Sequence, residues 1–367
     1  MNNQLVQISG SEPSSVDENP LIHYFCTIRE LARYLPEENW MFNHDVLKID
    51  QEAEIQKIST GWRETVLKRL KKRGAIVAIS GGIDSSCCAG LAVRTFGTKK
   101  VFGLLLPERD SSSESVRLGK KLAEHLGIQY VVENIQPTLA AIGCYARYDA
   151  AVKSVFPHFG EGWKSKIVLP GDLLNSDRMN FYRLVVQSPD GEMMTERMPL
   201  QAYLELVAAT NFKQRIRKTL EYYHADRLNY AVTGTPNRLE YDQGFFVKNG
   251  DGSADVKPIA HLYKTQVYAM ARHLELPDEI CSTTPTTDTY SLEQGQDEFY
   301  FVLPYPEMDL LLWAKNHDVS ADNAAQVMGL ETVQVELVYK DIVRKRSTTL
   351  PLHLMNLLVG EVPEIVK

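Results

Sequence analysis

The chain has 367 residues, 44% of them hydrophobic and 24% charged, with a formal net charge of −7. These values suit one large or two moderate globular domains and argue against fibrous, disordered or dedicated nucleic-acid-binding classes. No apolar run reaches the length of a membrane span, and the polar start MNNQLVQISGSEPSSVDENP has no signal-peptide core. Cys26, Cys87, Cys88, Cys144 and Cys281 show neither disulfide nor zinc spacing, so free thiols and a cytoplasmic setting are expected.

Residues 1–20, rich in Ser, Asn, Pro and Glu, are expected to be disordered. Residues 21–73 are expected to be helical, the last helix spanning 55–72. A change of pattern follows. The run AIVAI at 75–79 has strand character, 85–96 is rich in small apolar residues and reads as helix, and VFGLLL at 101–106 is a second strand. Leu118, Leu122 and Leu126 predict a helix over 113–126 closed by Gly127, before a third strand at 130–135. Alternating strands and helices of these lengths predict right-handed crossovers and a parallel sheet.

Residues 140–200 break the rhythm. Apolar stretches at 181–186 and 193–200 flank Ser188-Pro189-Asp190-Gly191, a turn that predicts an inserted β-hairpin. A helix over 211–224, strands at 228–232 and 256–260 and a helix at 264–274 complete a doubly wound α/β unit. The expected core is a five-stranded parallel sheet flanked by helices, over 74–303, with the insertion at 140–200. Residues 304–367 form a helical C-terminal region.

Ser80-Gly81-Gly82-Ile83-Asp84-Ser85 lies between the first predicted strand and its helix. Two glycines there let backbone N–H groups converge on one point, and the helix N-terminus adds positive charge to that point. Ser80 and Ser85 can donate hydroxyl hydrogens, and Asp84 beside phosphates suits a Mg²⁺ ligand. As a plain strand-to-helix turn, the same sequence would use Ser85 as N-cap. The loop resembles the pyrophosphate loop of the ATP pyrophosphatase superfamily, which includes NAD, GMP and asparagine synthetases. Leu106-Pro107-Glu108-Arg109-Asp110-Ser111-Ser112 resembles the segment after the second strand in NAD synthetases.

The second half narrows the resemblance to the NAD synthetase family. Thr233-Gly234-Thr235-Pro236-Asn237-Arg238-Leu239-Glu240 follows a predicted strand, where open α/β sheets bind ligands. Gly250-Asp251-Gly252-Ser253-Ala254-Asp255 comes next, and then Lys264 entering a helix. The resemblance implies ATP contacts from Ser80, Gly81, Gly82, Asp84, Ser85, Thr235, Lys264 and Thr286, and Mg²⁺ held by Asp84 and Glu240. It places Asp84, Glu240 and Lys264 at the catalytic centre. Asn211-Phe212-Lys213-Gln214-Arg215 matches a further element, with Gln214 where the family has alanine. Arg215, Lys248 and Asp255 are then implied for the deamido-NAD substrate. Arg344-Lys345-Arg346 resembles a His-Lys-Arg element, which carries Lys345, but not Arg344, to the same substrate.

Taken singly, Glu240, Lys248 and Lys264 are residue types of solvated faces, Asp251 and Asp255 are turn formers, and Arg215 suits a surface ion pair. Their order behind SGGIDS carries the functional reading. The resemblance implies adenylation of the nicotinate carboxylate of deamido-NAD by Mg-ATP, followed by ammonia attack, giving NAD, AMP and pyrophosphate. It also implies a homodimer. A start of Met-Asn-Asn-Gln and a short segment before Gly74 offer neither kind of glutaminase, so free ammonia or a separate ammonia-supplying partner is expected.

Two other readings exist. ATP motifs report on ATP alone, so a related ligase could amidate a different carboxylate, although Arg215, Lys248 and Asp255 favour the dinucleotide. Residues 320–343 have helix-turn-helix spacing, but Glu331 and Glu336 on the second helix repel phosphate. Two packed helices joined at Gly329 are expected there, with no nucleic-acid partner.

Overall fold

The computed structural model describes residues 42–168, 182–283, 290–292, 295, 300–301, 303–354 and 357–360. The expected polar N-terminus and the first part of the helical segment at 21–73 lie outside the described residues. Helix α1 (Gln51–Glu64) starts where the Asp50 side chain accepts from the Ala53 N–H, and a π-helical turn at Thr65–Arg69 ends it before the residue 72 expected.

A parallel sheet follows, built of β1 (Ala75–Ala78), β2 (Val101–Leu105), β3 (Gln129–Val132) and β7 (Ala231–Val232), in the order β3-β2-β1-β7. Its crossovers carry α2 (Ile83–Phe96) and α3 (Ser113–Leu126). Alternation along β1 sends Ala75 and Val77 to one face, with α1 and α2, and Ile76 to the other, with Leu139, Tyr145 and Ala225. Each such fully buried aliphatic side chain contributes about 1.5–3 kcal/mol.

The sheet has four strands among the described residues rather than five. The expected strand at 256–260 is reduced to one parallel bridge between Val256 and Thr233. Asp255 Oδ2 accepts from the Val232 N–H (2.8 Å), and Pro258 has no N–H to extend a ladder. β7 is shorter than expected because the preceding helix runs to Leu228 and stops at Asn229, which has φ of 55°.

That helix, α6 (Leu200–Leu228), is 29 residues and about 44 Å long. It begins eleven residues before the expected start at 211 because two cores claim it. Ala202, Leu206 and Ala209 pack with the insertion, while Phe212, Ile216 and Ala225 pack beneath the sheet. The remaining helices ahead of α6 are α4 (Gln136–Ala141) and α5 (Cys144–Lys153). Residues 140–200 supply an antiparallel sheet of three strands, β4 (Lys164–Val168), β5 (Arg183–Gln187) and β6 (Met193–Arg197), wider than a lone hairpin.

Beyond β7 come α7 (Arg238–Gln243), α8 (Lys264–His273), α9 (Asp278–Ser282), α10 (Tyr305–Asn316), α11 (Ala321–Met328) and α12 (Thr332–His353). The last three enclose a separate core around Leu311, Ala325, Val335 and Ile342. α11 turns at Gly329 (φ 67°) into α12, whose basic cluster is satisfied internally. Arg344 and Lys345 pair with Asp341, and Arg346 forks onto both carboxylate oxygens of Asp242 (2.7 and 2.6 Å). No helix among the described residues is long and apolar enough to cross a membrane.

Asp309 on α10 tethers the start of α8, accepting from the Thr265 N–H at 2.8 Å. Burial pushes its carboxyl up to about 6, against the opposing pull of the Thr265 donors and the Lys264 charge. An acid whose folded pKa is raised loses stability as pH climbs from its unfolded value through the folded one. The Asp309→Asn variant should therefore gain on wild type by up to roughly 3 kcal/mol between pH 4 and 7, and no further above that. Denaturant unfolding of both proteins across that range measures it; a pH-independent difference would contradict the assignment.

Candidate active site

β1 ends at the SGGIDS loop. Gly82, not Ser85, is the N-cap of α2, and no side chain among the described residues caps it, which leaves the first amides of that helix to an anion. Gly81 has φ of 82°, and a Cβ there would sit 2.6 Å from the Ser115 carbonyl oxygen. Only glycine fits. Ser85 Oγ donates to the Gly82 carbonyl (3.1 Å) and lies 3.1 Å from Ser80 Oγ, which fixes the loop internally.

Asp84, in the first turn of α2, faces two other helix starts. Lys264, the first residue of α8, donates its ammonium to Asp84 Oδ2 while buried. Asn237, the N-cap of α7, donates Nδ2 to Asp84 Oδ1 (3.1 Å). Asn237 Oδ1 also accepts from the Glu240 N–H, and Glu240 Oε2 from the Asn237 N–H, both at 3.1 Å, forming a capping box. The Glu240 carboxyl is thereby locked in the buried centre. Burial, and then the Asp84 charge, raise it to about 8, against the opposing effect of Lys264. Burial alone would depress the Lys264 ammonium, but the two carboxylates outweigh it and hold it above its ordinary value.

These groups line a cavity of about 1360 Å³. Ser80, Gly81, Gly82, Asp84, Ser85, Thr235, Glu240 and Lys264 share its wall, and Arg215 and Lys248 line it as well. Arg215 Nε donates to the Lys248 carbonyl (3.3 Å) and Lys248 Nζ to the Pro351 carbonyl (2.8 Å). Asp255 and Lys345 are not among the lining residues. Asp255 is spent on the edge of β7, and Lys345 is buried, donating to the Tyr300 carbonyl (2.6 Å) and pairing with Asp341 (2.8 Å). Thr286 lies outside the described residues.

The structure adds residues that the sequence did not single out. Asn237 is one of them, and the signal that could have found it is its N-x-x-E spacing to Glu240, that of a capping box; its bond to Asp84 has no such local signal. Thr233 lines the cavity, buried, with no partner for its Oγ1 among the described residues. Lys213, 2% exposed, pairs with Glu108 (2.9 Å) and Asp110 (2.7 Å), pinning the loop after β2 to α6. One turn on, Arg217 Nε donates to the Leu106 carbonyl (3.3 Å). That loop leads into α3, whose Ser115 touches Gly81, so the helix α6 indirectly braces the phosphate loop.

The two loop glycines are unequal. A Cβ on Gly82 would meet only Ser80 Oγ at 3.4 Å, an ordinary contact. Gly81→Ala should therefore weaken ATP binding by roughly tenfold or more, the equivalent of one strained backbone position, while Gly82→Ala costs much less. Titration calorimetry with ATP on both variants tests this; equal losses would mean the loop is not held as described.

A family model described as NAD synthase matches residues 54–155 and 179–348. An NH(3)-dependent NAD(+) synthetase of Rhizobium meliloti is 56% identical over 331 residues, covering 90% of this chain and 98% of the relative. The protein of the same description from Mesorhizobium japonicum is 53% identical over 319 residues, covering 87% and 100%. Among solved structures, an NMN synthetase from Francisella tularensis superimposes with a TM-score of 0.56 at 21% identity, over 86% of this chain and all of that one. An NH3-dependent NAD synthetase from Campylobacter jejuni, solved with nitrate, gives 0.55 at 20% identity, over 85% and 100%. The structural likenesses share the α/β fold of a parallel sheet flanked by helices. The sequence relationships go further: this chain belongs to the NAD synthase family.

Proposed function

We propose that the chain is an ammonia-dependent NAD synthetase, which adenylates the nicotinate carboxylate of deamido-NAD with Mg-ATP and then aminates it. The observation that carries this reading is the convergence of an uncapped helix N-terminus, two carboxylates and a buried lysine on one cavity. Relatives more than half identical over most of the chain, named for this activity, support it.

A free carboxylate resists amination because oxide is a poor leaving group. In the first step a carboxylate oxygen attacks the ATP α-phosphorus, the bond to the bridging oxygen breaks, and pyrophosphate departs. In the second, ammonia attacks the carbonyl carbon of the mixed anhydride, AMP leaves, and the nitrogen sheds a proton. Neither step needs a side-chain nucleophile. The protein orients the reactants and balances phosphate charge. The α2 amides and the Ser80 hydroxyl suit the departing phosphates, Ser85 holds the loop that presents them, and Thr235 suits a nucleotide contact. Lys264 supplies a mobile point charge able to exchange Asp84 for a phosphate oxygen.

Asp84 and Glu240 fit a magnesium ion. Two carboxylates gathered at a buried point, one of them held up at about 8 by burial and the other's charge, form a centre that a divalent cation would relieve. Mg²⁺ commonly takes one or two carboxylates and completes its shell with phosphates and water. When bound it would neutralise charge on the pyrophosphate as that group leaves. Arg215 and Lys248, at the rim of the cavity, are the residues for the dinucleotide, with Asp255 and Lys345 part of the same proposal through the family motif. Thr286 is retained on that ground as an ATP contact. A cytoplasmic homodimer, with 74–303 as the nucleotide-binding unit and 304–367 as a helical region, completes the reading.

With ATP, Mg²⁺, ammonium and deamido-NAD, AMP and NAD should form in equal amounts. Asp84→Asn and Glu240→Gln should each lower dinucleotide-dependent ATP–pyrophosphate exchange by roughly a hundredfold or more while the protein stays folded. Exchange near the wild-type rate in Asp84→Asn would remove the metal assignment. Wild-type protein that binds ATP but yields no AMP with deamido-NAD would point to a different carboxylate.

A further inference from the structure

The family match is interrupted at 156–178, and that interval contains β4. The insertion does not stand apart from the site. Lys164, the first residue of β4, lines the cavity, and so does Tyr182, which leads into β5. β4 also holds a segment of the main fold against the cavity. The Leu292 N–H donates to the Ser165 carbonyl (3.2 Å), and the Ser165 N–H donates to Ser291 Oγ (2.9 Å). Beside them Tyr290 lines the same space.

The side chains brought there are aromatic. Tyr182 stacks on Tyr203 of α6 with ring centroids 4.5 Å apart and planes 12° from parallel. Tyr300 stacks on Phe245 at 4.7 Å and 26°. All four residues line the cavity and all four are only half-buried. Tyr203 belongs to the same face of α6 that further on presents Arg215 and Lys218 to the cavity. Between residues 203 and 218 that face spans about 22 Å, more than a triphosphate needs.

A stacked aromatic pair in a cavity of mixed lining, with the exposed Arg215 and Lys248 further along the same wall, has the composition of a nucleotide-base site. Every planar heterocycle has a π-face to lay on such a platform. We propose that Tyr182, at the start of β5, and Tyr203 of α6 form a stacking platform for the planar nitrogen heterocycle of one of the two nucleotide substrates. This rests on the reading that both substrates are nucleotides. The ring is either the base of ATP or a ring of the carboxylate dinucleotide, and the platform serves to orient it; neither tyrosine takes part in the chemistry.

The test uses Tyr182→Leu and Tyr203→Leu, with the two Phe variants beside them, in the full-length protein. Calorimetry measures ATP, inorganic tripolyphosphate and deamido-NAD, and steady-state assays give KM and kcat. Affinity for one nucleotide should fall about tenfold in the Leu variants and recover in the Phe variants, with kcat changed less than about threefold. Loss confined to ATP, with tripolyphosphate unaffected, identifies the ring as the ATP base. Loss confined to the dinucleotide assigns it to the carboxylate substrate. Unchanged affinities for both nucleotides in folded Leu variants overturn the proposal. So does an equal loss for tripolyphosphate, because that ligand has no ring and its loss reports a collapsed cavity. Wild-type protein that makes no NAD counts against the functional reading alone, since the binding arms remain measurable.

Discussion

Lys264 and Asp84 form an ion pair where three helix N-termini meet, and the sheet order, the capping box and the cavity all lead to that contact. Asp84 lies in the first turn of α2, Asn237 and Glu240 at the cap and third position of α7, and Lys264 is the first residue of α8. Helix starts carry unsatisfied N–H groups and positive partial charge, so carboxylates are favoured there. Glu240 is buried and Asp84 partly so, and two carboxylates brought together there still repel one another. The ammonium of Lys264 makes the arrangement tolerable without removing the tension, as the raised Glu240 carboxyl records. Removing one partner of such a buried pair commonly costs about 3–5 kcal/mol.

The strand order β3-β2-β1-β7 explains why these helix starts converge. The chain leaves β1 toward β2 on one side and returns to β7 on the other, so the loops after β1 and β7 diverge and open a crevice between them. The SGGIDS loop and the segment from Thr233 to Glu240 are those two loops. A second set of buried charges braces the crevice from its far side. Lys213 and Arg217, one turn apart on α6, hold the loop after β2 by side-chain pairs and a backbone carbonyl. A helix that also carries the insertion's core thus has one end tied to the site and the other to an added wall.

The sequence made the fold legible where local pattern and tertiary demand agreed. The first three strands and the two helices between them emerged within a few residues, because apolar runs, Gly127 and the loop glycines punctuate them. It failed where long-range packing set the boundary. The helix over 200–210 was missed because its buried face, Ala202, Leu206 and Ala209, packs on the insertion and not beneath the sheet. The supposed fifth strand was lost to a side chain, Asp255, that takes the N–H a ladder needed, and to Pro258. Within the site, Asp84, Glu240 and Lys264 were legible as an ordered set. The bond from Asn237 to Asp84 was not, since it spans 153 positions.

What the sequence alone determined was the chemistry available and the family to which the chain belongs. Phosphate loops, caps and a lysine entering a helix are local features, and glycine, carboxylate and hydroxyl positions can be read one after another. What only the tertiary structure decided was which charges are buried together, and therefore which are perturbed. It also decided that Lys345 turns inward to Asp341 and that the insertion faces the cavity. The reason is physical: burial and the distances between charges depend on contacts between residues far apart in the chain, and local sequence pattern carries no record of those contacts.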